Sequence, residues 1–118
     1  MKRSPKQNGT EGETLVAGYL SRWFPAVRRL ALSGAADIGD LGGIADLTIQ
    51  VKMHHQMSLA GWVDQAKAQS KRAGTAHYVV VHKRWGKGDP GKWYVTLPLE
   101  VFAPLYAEGR WHDSTLPG

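Results

Sequence analysis

Between positions 46 and 53 the chain reads Asp46-Leu47-Thr48-Ile49-Gln50-Val51-Lys52-Met53, alternating polar and apolar residues. Side chains alternate across a strand, so Asp46, Thr48, Gln50 and Lys52 share one face while Leu47, Ile49, Val51 and Met53 share the other. The apolar face suits a core and the polar face suits a site. A Gly-rich turn beginning with Gly39-Asp40 leads into the strand and adds a carboxylate. An acid, an amide and a lysine on one strand face, beside an aspartate, can hold a hard cation next to a phosphodiester. The constellation points to metal-dependent nuclease chemistry.

Composition agrees. At 118 residues and 42% hydrophobic content, the chain can bury one modest core and reads as a single globular domain. Its net charge of +5 and pI near 9.7 favour a polyanionic partner, because neutralising phosphates releases counterions. The absence of cysteine excludes disulfides and thiolate zinc sites and fits a reducing cytoplasm. No apolar run is long enough to span a bilayer, and the start, Met1-Lys2-Arg3-Ser4-Pro5-Lys6-Gln7-Asn8, lacks the apolar stretch of a signal peptide. Residues 1–9 read as a basic, mobile arm.

The elements that must position the polar strand follow from pattern. Leu15, Val16, Tyr19 and Leu20 predict a helix over about Thr10 to Trp23, with Thr10 and Glu13 as a capping box and Pro25 as its stop. Ala26 to Ser33 reads as a strand carrying Arg28 and Arg29, and Gly34 to Gly43 as one or two turns. Ser58 can cap a second helix over Leu59 to Ala73, where Leu59, Trp62, Val63 and Ala66 recur at helical spacing and Gly74 stops it. Strands over Ala76–His82 and Lys92–Leu97 are joined by a basic loop that carries Trp85, and Pro98 opens a last helix through about Tyr106. Residues 108–118 read as a loose tail. The order of helix, three strands, helix, two strands and helix describes an α/β sheet covered by helices.

Glu13 in the first helix, Gly39-Asp40 before a strand, Gln50-Val51-Lys52 on it and a Gln-bearing helix after it resemble the PD-(D/E)xK nuclease superfamily. The Arg28-Arg29 strand, the Ser33-Gly34 turn and the small size are similar to archaeal and phage Holliday-junction resolvases, and the ending from Val81-His82-Lys83-Arg84 to Trp93-Tyr94-Val95-Thr96 is similar to small phage and actinobacterial nucleases of that kind. The resemblance covers roughly Gly9 to Leu105. It implies a restriction-endonuclease-like mixed sheet flanked by helices, and a Mg²⁺-dependent endonuclease, with Mn²⁺ as substitute, that places paired nicks in four-way DNA junctions. It also implies a homodimer, since paired nicks need two sites, in the cytoplasm of a bacterial or phage-infected cell.

The resemblance also assigns roles. Asp40 would bridge to the metal, the Val51 carbonyl would be a further ligand, Lys52 would orient or activate the attacking water, and Glu13 would reach the same site from the first helix. Gln65 on the second helix would support it. Gln50 departs from the family pattern, which places Asp or Glu there, and an amide costs the site a full charge. Three accounts compete: a working Gln-type site, similar to a variant in some branches of the superfamily; a site to which Asp46 supplies the missing charge; and a DNA-binding protein that has lost catalysis. On an ideal strand Asp46 lies about 13 Å from Gln50, which argues against simple replacement.

Within the residues themselves, Glu11 rivals Glu13 because helix phase is uncertain by a residue or two, and Asp37 rivals Asp40. Adjacent His54 and His55 on a strand would point to opposite faces, which argues against a shared zinc and leaves His54 on the Lys52 face, within reach of DNA. Arg29 shares strand parity with Ser33 and is the choice for phosphate contact. The DNA-contacting set is then Arg28, Arg29, Ser33, Lys83, Arg84 and Lys87, with Trp85 placed to stack on an exposed base. A nuclease of the same fold acting on ordinary duplex stands as a further possibility. Most of the five tryptophans read as core, and Phe102, Leu105 and Tyr106 as either core or dimer surface.

Overall fold

Two helix-start signals stand near the beginning of the chain, and the earlier one is used. In the computed structural model, which describes residues 4–31 and 37–112, the first helix (α1) spans Pro5–Leu20. Ser4 is its N-cap: the Ser4 hydroxyl accepts from the Gln7 N–H at 3.2 Å, and the Ser4 N–H donates to Gln7 Oε1 at 2.8 Å. Proline at the first helical position costs no hydrogen bond and presets φ. The expected start at Thr10 is corrected, and Pro5 to Gly9 of the expected arm are helical: Thr10 lies inside the helix, and its carbonyl accepts from the Thr14 hydroxyl.

The strands are β1 (Arg28–Arg29), β2 (Leu41–Gly42), β3 (Leu47–Lys52), β4 (His77–His82) and β5 (Tyr94–Thr96). They form one mixed sheet in the order β1-β2-β3-β4-β5, with only the β3–β4 pair parallel. A parallel neighbour requires a crossover, and α2 (Leu59–Ala73) supplies it. Gly74 ends α2 in the left-handed region as expected, whereas Ser58 stands at its N-cap without a side-chain capping bond among the described residues. A short 3-10 turn, Pro90–Lys92, precedes β5, and α3 runs Leu99–His112, past the expected end near Tyr106. No helix among the described residues is long and apolar enough to cross a membrane.

The sheet is covered on both faces. Val16 of α1 packs with Leu41, Ile49, Val51, Val79, Val81 and Trp93, while Trp62 and Ala66 of α2 and Val101 of α3 pack with Tyr78 and Val80. The odd and even positions of β4 thus feed opposite layers, the three-layer α/β arrangement. For β3 this corrects the expectation of one core face and one open site face: Thr48 (1% exposed) and Gln50 (5%) are as buried as Ile49 (2%) and Val51 (6%). A central strand with a parallel neighbour is roofed on both sides, so its polar residues must find partners inside. Thr48 does, its hydroxyl 2.7 Å from that of Thr75. Trp62 and Trp93 are core, but Trp23 and Trp85 are exposed, as are Phe102, Leu105 and Tyr106.

Two glycines set the approach of elements that carry the site. Gly12 is buried where α1 crosses the end of β3, and a Cβ there would meet the Met53 side chain. The close approach sets the following residue, Glu13, beside that strand end. Gly43 has φ +91°, and a Cβ there would overlap the Ala26 carbonyl. Gly43→Ala should therefore cost about 2–4 kcal/mol, combining backbone strain with a steric clash that backbone atoms cannot relieve cheaply. Urea unfolding of the variant checks this; a loss under half a kcal/mol would show that the turn between β2 and β3 moves freely away from Ala26.

Candidate active site

Antiparallel register builds the site. Leu41 pairs with Ile49, so the preceding residue, Asp40, comes level with Gln50 just before β2 begins. Its main chain is fixed on two sides, with the Asp40 N–H donating to the Ile49 carbonyl at 2.9 Å and the Asp40 carbonyl accepting from the Leu30 N–H at 2.9 Å. Where the next ladder bond would fall, the Val51 N–H donates to Asp40 Oδ2 at 2.8 Å. The N–H and C=O of one strand residue leave by the same edge. The Val51 carbonyl is thus directed to the edge that holds the Asp40 carboxylate.

A cavity of about 370 Å³ opens there, lined by Pro5, Asn8, Gly9 and Glu13 of α1, by Asp40, by Gln50, Val51 and Lys52 of β3, and by Met53, His54 and His55 beyond it. Glu13, Asp40, Gln50 and Lys52 therefore meet in one pocket, from three separate elements. The early start of α1 is what brings Pro5, Asn8 and Gly9 into the wall, three residues that a helix starting at Thr10 leaves outside it. The Ser4-Pro5-Lys6-Gln7 capping signal could have found them. His54 and His55 both line the pocket because the strand ends at Lys52, so two-residue alternation no longer separates them. A larger groove of about 550 Å³ between α2 and the β5–α3 connection is apolar apart from Asp64 and Thr96 and holds no comparable set.

The rivals separate cleanly. Glu11 lies with Lys6, Gln7 and Thr10 on another part of α1. Asp37 is engaged by α2: its Oδ2 accepts from Gln69 Nε2 at 2.8 Å and its carbonyl accepts from Arg72 at 2.9 Å. Gln65 is exposed, and Gln69, one turn on, is the buried glutamine of α2; the helix phase that buries Trp62 and Ala66 turns position 65 outward. Asp46 leaves the strand face altogether. With φ +59° it forms the turn before β3, and its Oδ1 accepts from the Ala76 N–H at 2.7 Å. It is a structural cap on the β4 side and supplies no charge to the pocket.

Of the residues expected to contact DNA, Arg28, Arg84 and Lys87 are exposed, and Ser33 lies outside the described residues. Arg29 Nε is 3.3 Å from Glu13 Oε1, so this cation is shared with the site. Trp85 is not a bare indole: it stacks on His55, with ring centroids 3.5 Å apart and planes at 15°.

Charge in the pocket is tightly balanced. Burial pushes the Asp40 carboxyl up to about 6; the Val51 N–H and Lys52 oppose the rise, and the charges of Glu13 and Asp37 add to it. His82, paired in register with Lys52, is buried, and burial pushes its imidazole below the ordinary value, so it adds no charge beside Lys52 at neutral pH. Gln50 Oε1 is buried without a hydrogen-bond partner among the described residues. The residues lining the pocket thus include two carboxylates, one unpartnered amide oxygen and a directed main-chain carbonyl, all of them oxygen donors. No group of three or more His, Cys, Asp or Glu side chains placed for a metal occurs among the described residues. Two carboxylates with neutral oxygens could hold a hard cation only in the manner of Mg²⁺, which needs one or two carboxylates and completes its shell with water and substrate phosphate. The set is poor in charge for a cation held by protein alone.

No protein-family model, curated protein or solved structure matches the chain.

Proposed function

We propose that this protein is a Mg²⁺-dependent endonuclease of the PD-(D/E)xK type, with a restriction-endonuclease-like sheet, that resolves four-way DNA junctions in the cytoplasm. The observation that carries the reading is the single pocket shared by Glu13, Asp40, Gln50 and Lys52. A mixed sheet with helices on both faces, a net charge of +5 and the exposed Arg28, Arg84 and Lys87 support it. Paired nicks require two such sites, hence a homodimer, for which the exposed apolar residues of α3 offer surface.

Glu13, Asp40, the Gln50 amide oxygen and the Val51 carbonyl are the residues that would hold the ion. Bound Mg²⁺ supplies Lewis-acid stabilisation of the phosphate charge and acidifies a water. The chain's own groups do the rest. Lys52, on the pocket wall, donates to the phosphoryl oxygens as charge develops and orients the attacking water. Asp40 is held in direction by the Val51 N–H, and Glu13 by Arg29, so neither carboxylate must reorganise when DNA arrives. The reaction is hydrolysis, in which a water oxygen bonds to phosphorus as one bridging P–O bond breaks.

The neutral amide at position 50 favours one second reading, a branched-DNA-binding protein with a weakened site. A labelled four-way junction and a linear duplex of the same sequence, each with Mg²⁺ and with EDTA, separate the readings. Mg²⁺-dependent paired nicks confined to the junction are expected; binding without cutting supports the binding protein, and equal cutting of both DNAs supports a duplex nuclease. Gln50→Glu should tighten Mg²⁺ binding about tenfold, since affinity follows ligand charge. An unchanged calorimetric Mg²⁺ titration would remove Gln50 from the ligand set.

A further inference from the structure

The chain leaving the catalytic strand and the basic loop are fastened together at the pocket mouth. The Lys83 N–H donates to the Lys52 carbonyl at 3.1 Å, and Trp85 Nε1 donates to the His54 carbonyl at 3.0 Å. Trp85 then carries the His55 ring in a near-parallel stack, and Lys83 Nζ lies 4.3 Å from the Trp85 ring centroid. Neither ring is core: His55 and Trp85 are both exposed, and His55 lines the pocket. Two stacked rings, the indole fixed by its hydrogen bond to the His54 carbonyl, form an exposed flat surface beside the proposed phosphodiester site, on the loop that also carries the exposed Arg84 and Lys87.

We propose that His55, backed by Trp85, is a stacking platform for an unpaired nucleobase next to the scissile phosphate, so that the preferred substrate is DNA whose base at the cut is already unstacked. The inference rests on the nuclease reading and narrows its substrate class. One face of the His55 ring lies on Trp85, and the base takes the other. Every base offers a π-face, so such a platform tolerates sequence while contributing to affinity. In an intact duplex both faces of a base are occupied by its neighbours, and freeing one costs a few kcal/mol. A platform fixed to the catalytic strand therefore discriminates by the state of the base, and a branch point or an unpaired nucleotide supplies that state.

The test uses the full chain in EDTA, with 2-aminopurine placed either unpaired at the branch point of a junction or inside an intact duplex. Stacking should quench the unpaired probe. His55→Ala should abolish the quench and weaken junction binding about tenfold, with duplex binding changed less than about twofold; His55→Phe should restore both. If His55→Ala leaves quench and affinity unchanged, or weakens junction and duplex equally, the platform is wrong. Failure of His55→Phe to restore the quench would equally overturn it, by showing that the alanine effect is structural. Equal binding of both DNAs without a quench would remove the platform and leave the nuclease reading standing, whereas failure to bind any DNA would overturn both.

Discussion

Lys52→Ala should lower junction cutting about 10³-fold while leaving junction affinity within about threefold of the parent. The first figure follows from the usual loss when a preorganised charge aimed at a developing oxyanion is removed, roughly 10²–10³ in rate. Water orientation by the same side chain places the loss at the upper end. The second figure follows from the nature of the affinity, which is spread over many phosphate contacts, so that one cation contributes little. The main chain at position 52 keeps its role in the variant, because the bond that anchors the basic loop uses the Lys52 carbonyl. One indirect effect works in the same direction: Lys52 opposes the rise of the Asp40 pKa, so its removal leaves that carboxyl harder to ionise. Single-turnover cutting and EDTA binding on the same junction separate the two quantities. Cutting at a parental rate would remove Lys52 from the chemistry, and equal loss of both would make it a binding residue.

How far the sequence was legible depended on how local each signal is. The second helix has the expected bounds at both ends, because a clear apolar period meets an unambiguous stop at Gly74. The first helix starts five residues before the expected Thr10 and ends three before the expected Trp23; at its start two capping signatures, Ser4-Pro5-Lys6-Gln7 and Thr10-Glu11-Gly12-Glu13, compete in a stretch without apolar residues to arbitrate. Proline at the first helical position was the deciding clue. The family resemblance singles out Glu13, Asp40, Gln50 and Lys52, yet nothing local could say that they share a cavity. That depends on the Leu41–Ile49 register and on the Gly12–Met53 approach, both long-range. Alternation alone makes the polar stripe one site face, but a parallel neighbour and a crossover helix bury it. Its members divide, with Asp46 capping β4, Thr48 bonding Thr75, and Gln50 and Lys52 alone reaching the pocket. The docking of Trp85 on His55 joins residues thirty positions apart and left no pattern to read.

Asp40→Asn should abolish cutting and at the same time make the protein more stable at pH 8 in EDTA, by about 2–3 kcal/mol. Burial holds the folded Asp40 carboxyl at about 6, against 3.8 ordinarily. A displacement of that size corresponds to about 3 kcal/mol of preference for the protonated form in the folded state. The sign is set by proton binding: between about pH 4 and 6 the folded chain retains a proton that the unfolded chain has released. This group's contribution is thus fully present below about pH 4, is lost as pH rises through 6, and stays lost above it. Asparagine never ionises, and its Oδ1 still offers an acceptor to the Val51 N–H, so the variant avoids the cost of burying charge at pH 8 and gains nothing at pH 4. Urea unfolding of both proteins at pH 4, 6 and 8 should show curves that coincide at the lowest pH and separate by the highest. Added Mg²⁺ should close part of the gap at pH 8 by binding only the folded parent. Coincident curves at every pH would mean that Asp40 is solvated in the folded state and that the pocket holds no strained charge for a cation to relieve. A stabler protein that has lost its chemistry would instead show a carboxylate kept buried against its own cost, as a site built to receive a positive ion requires.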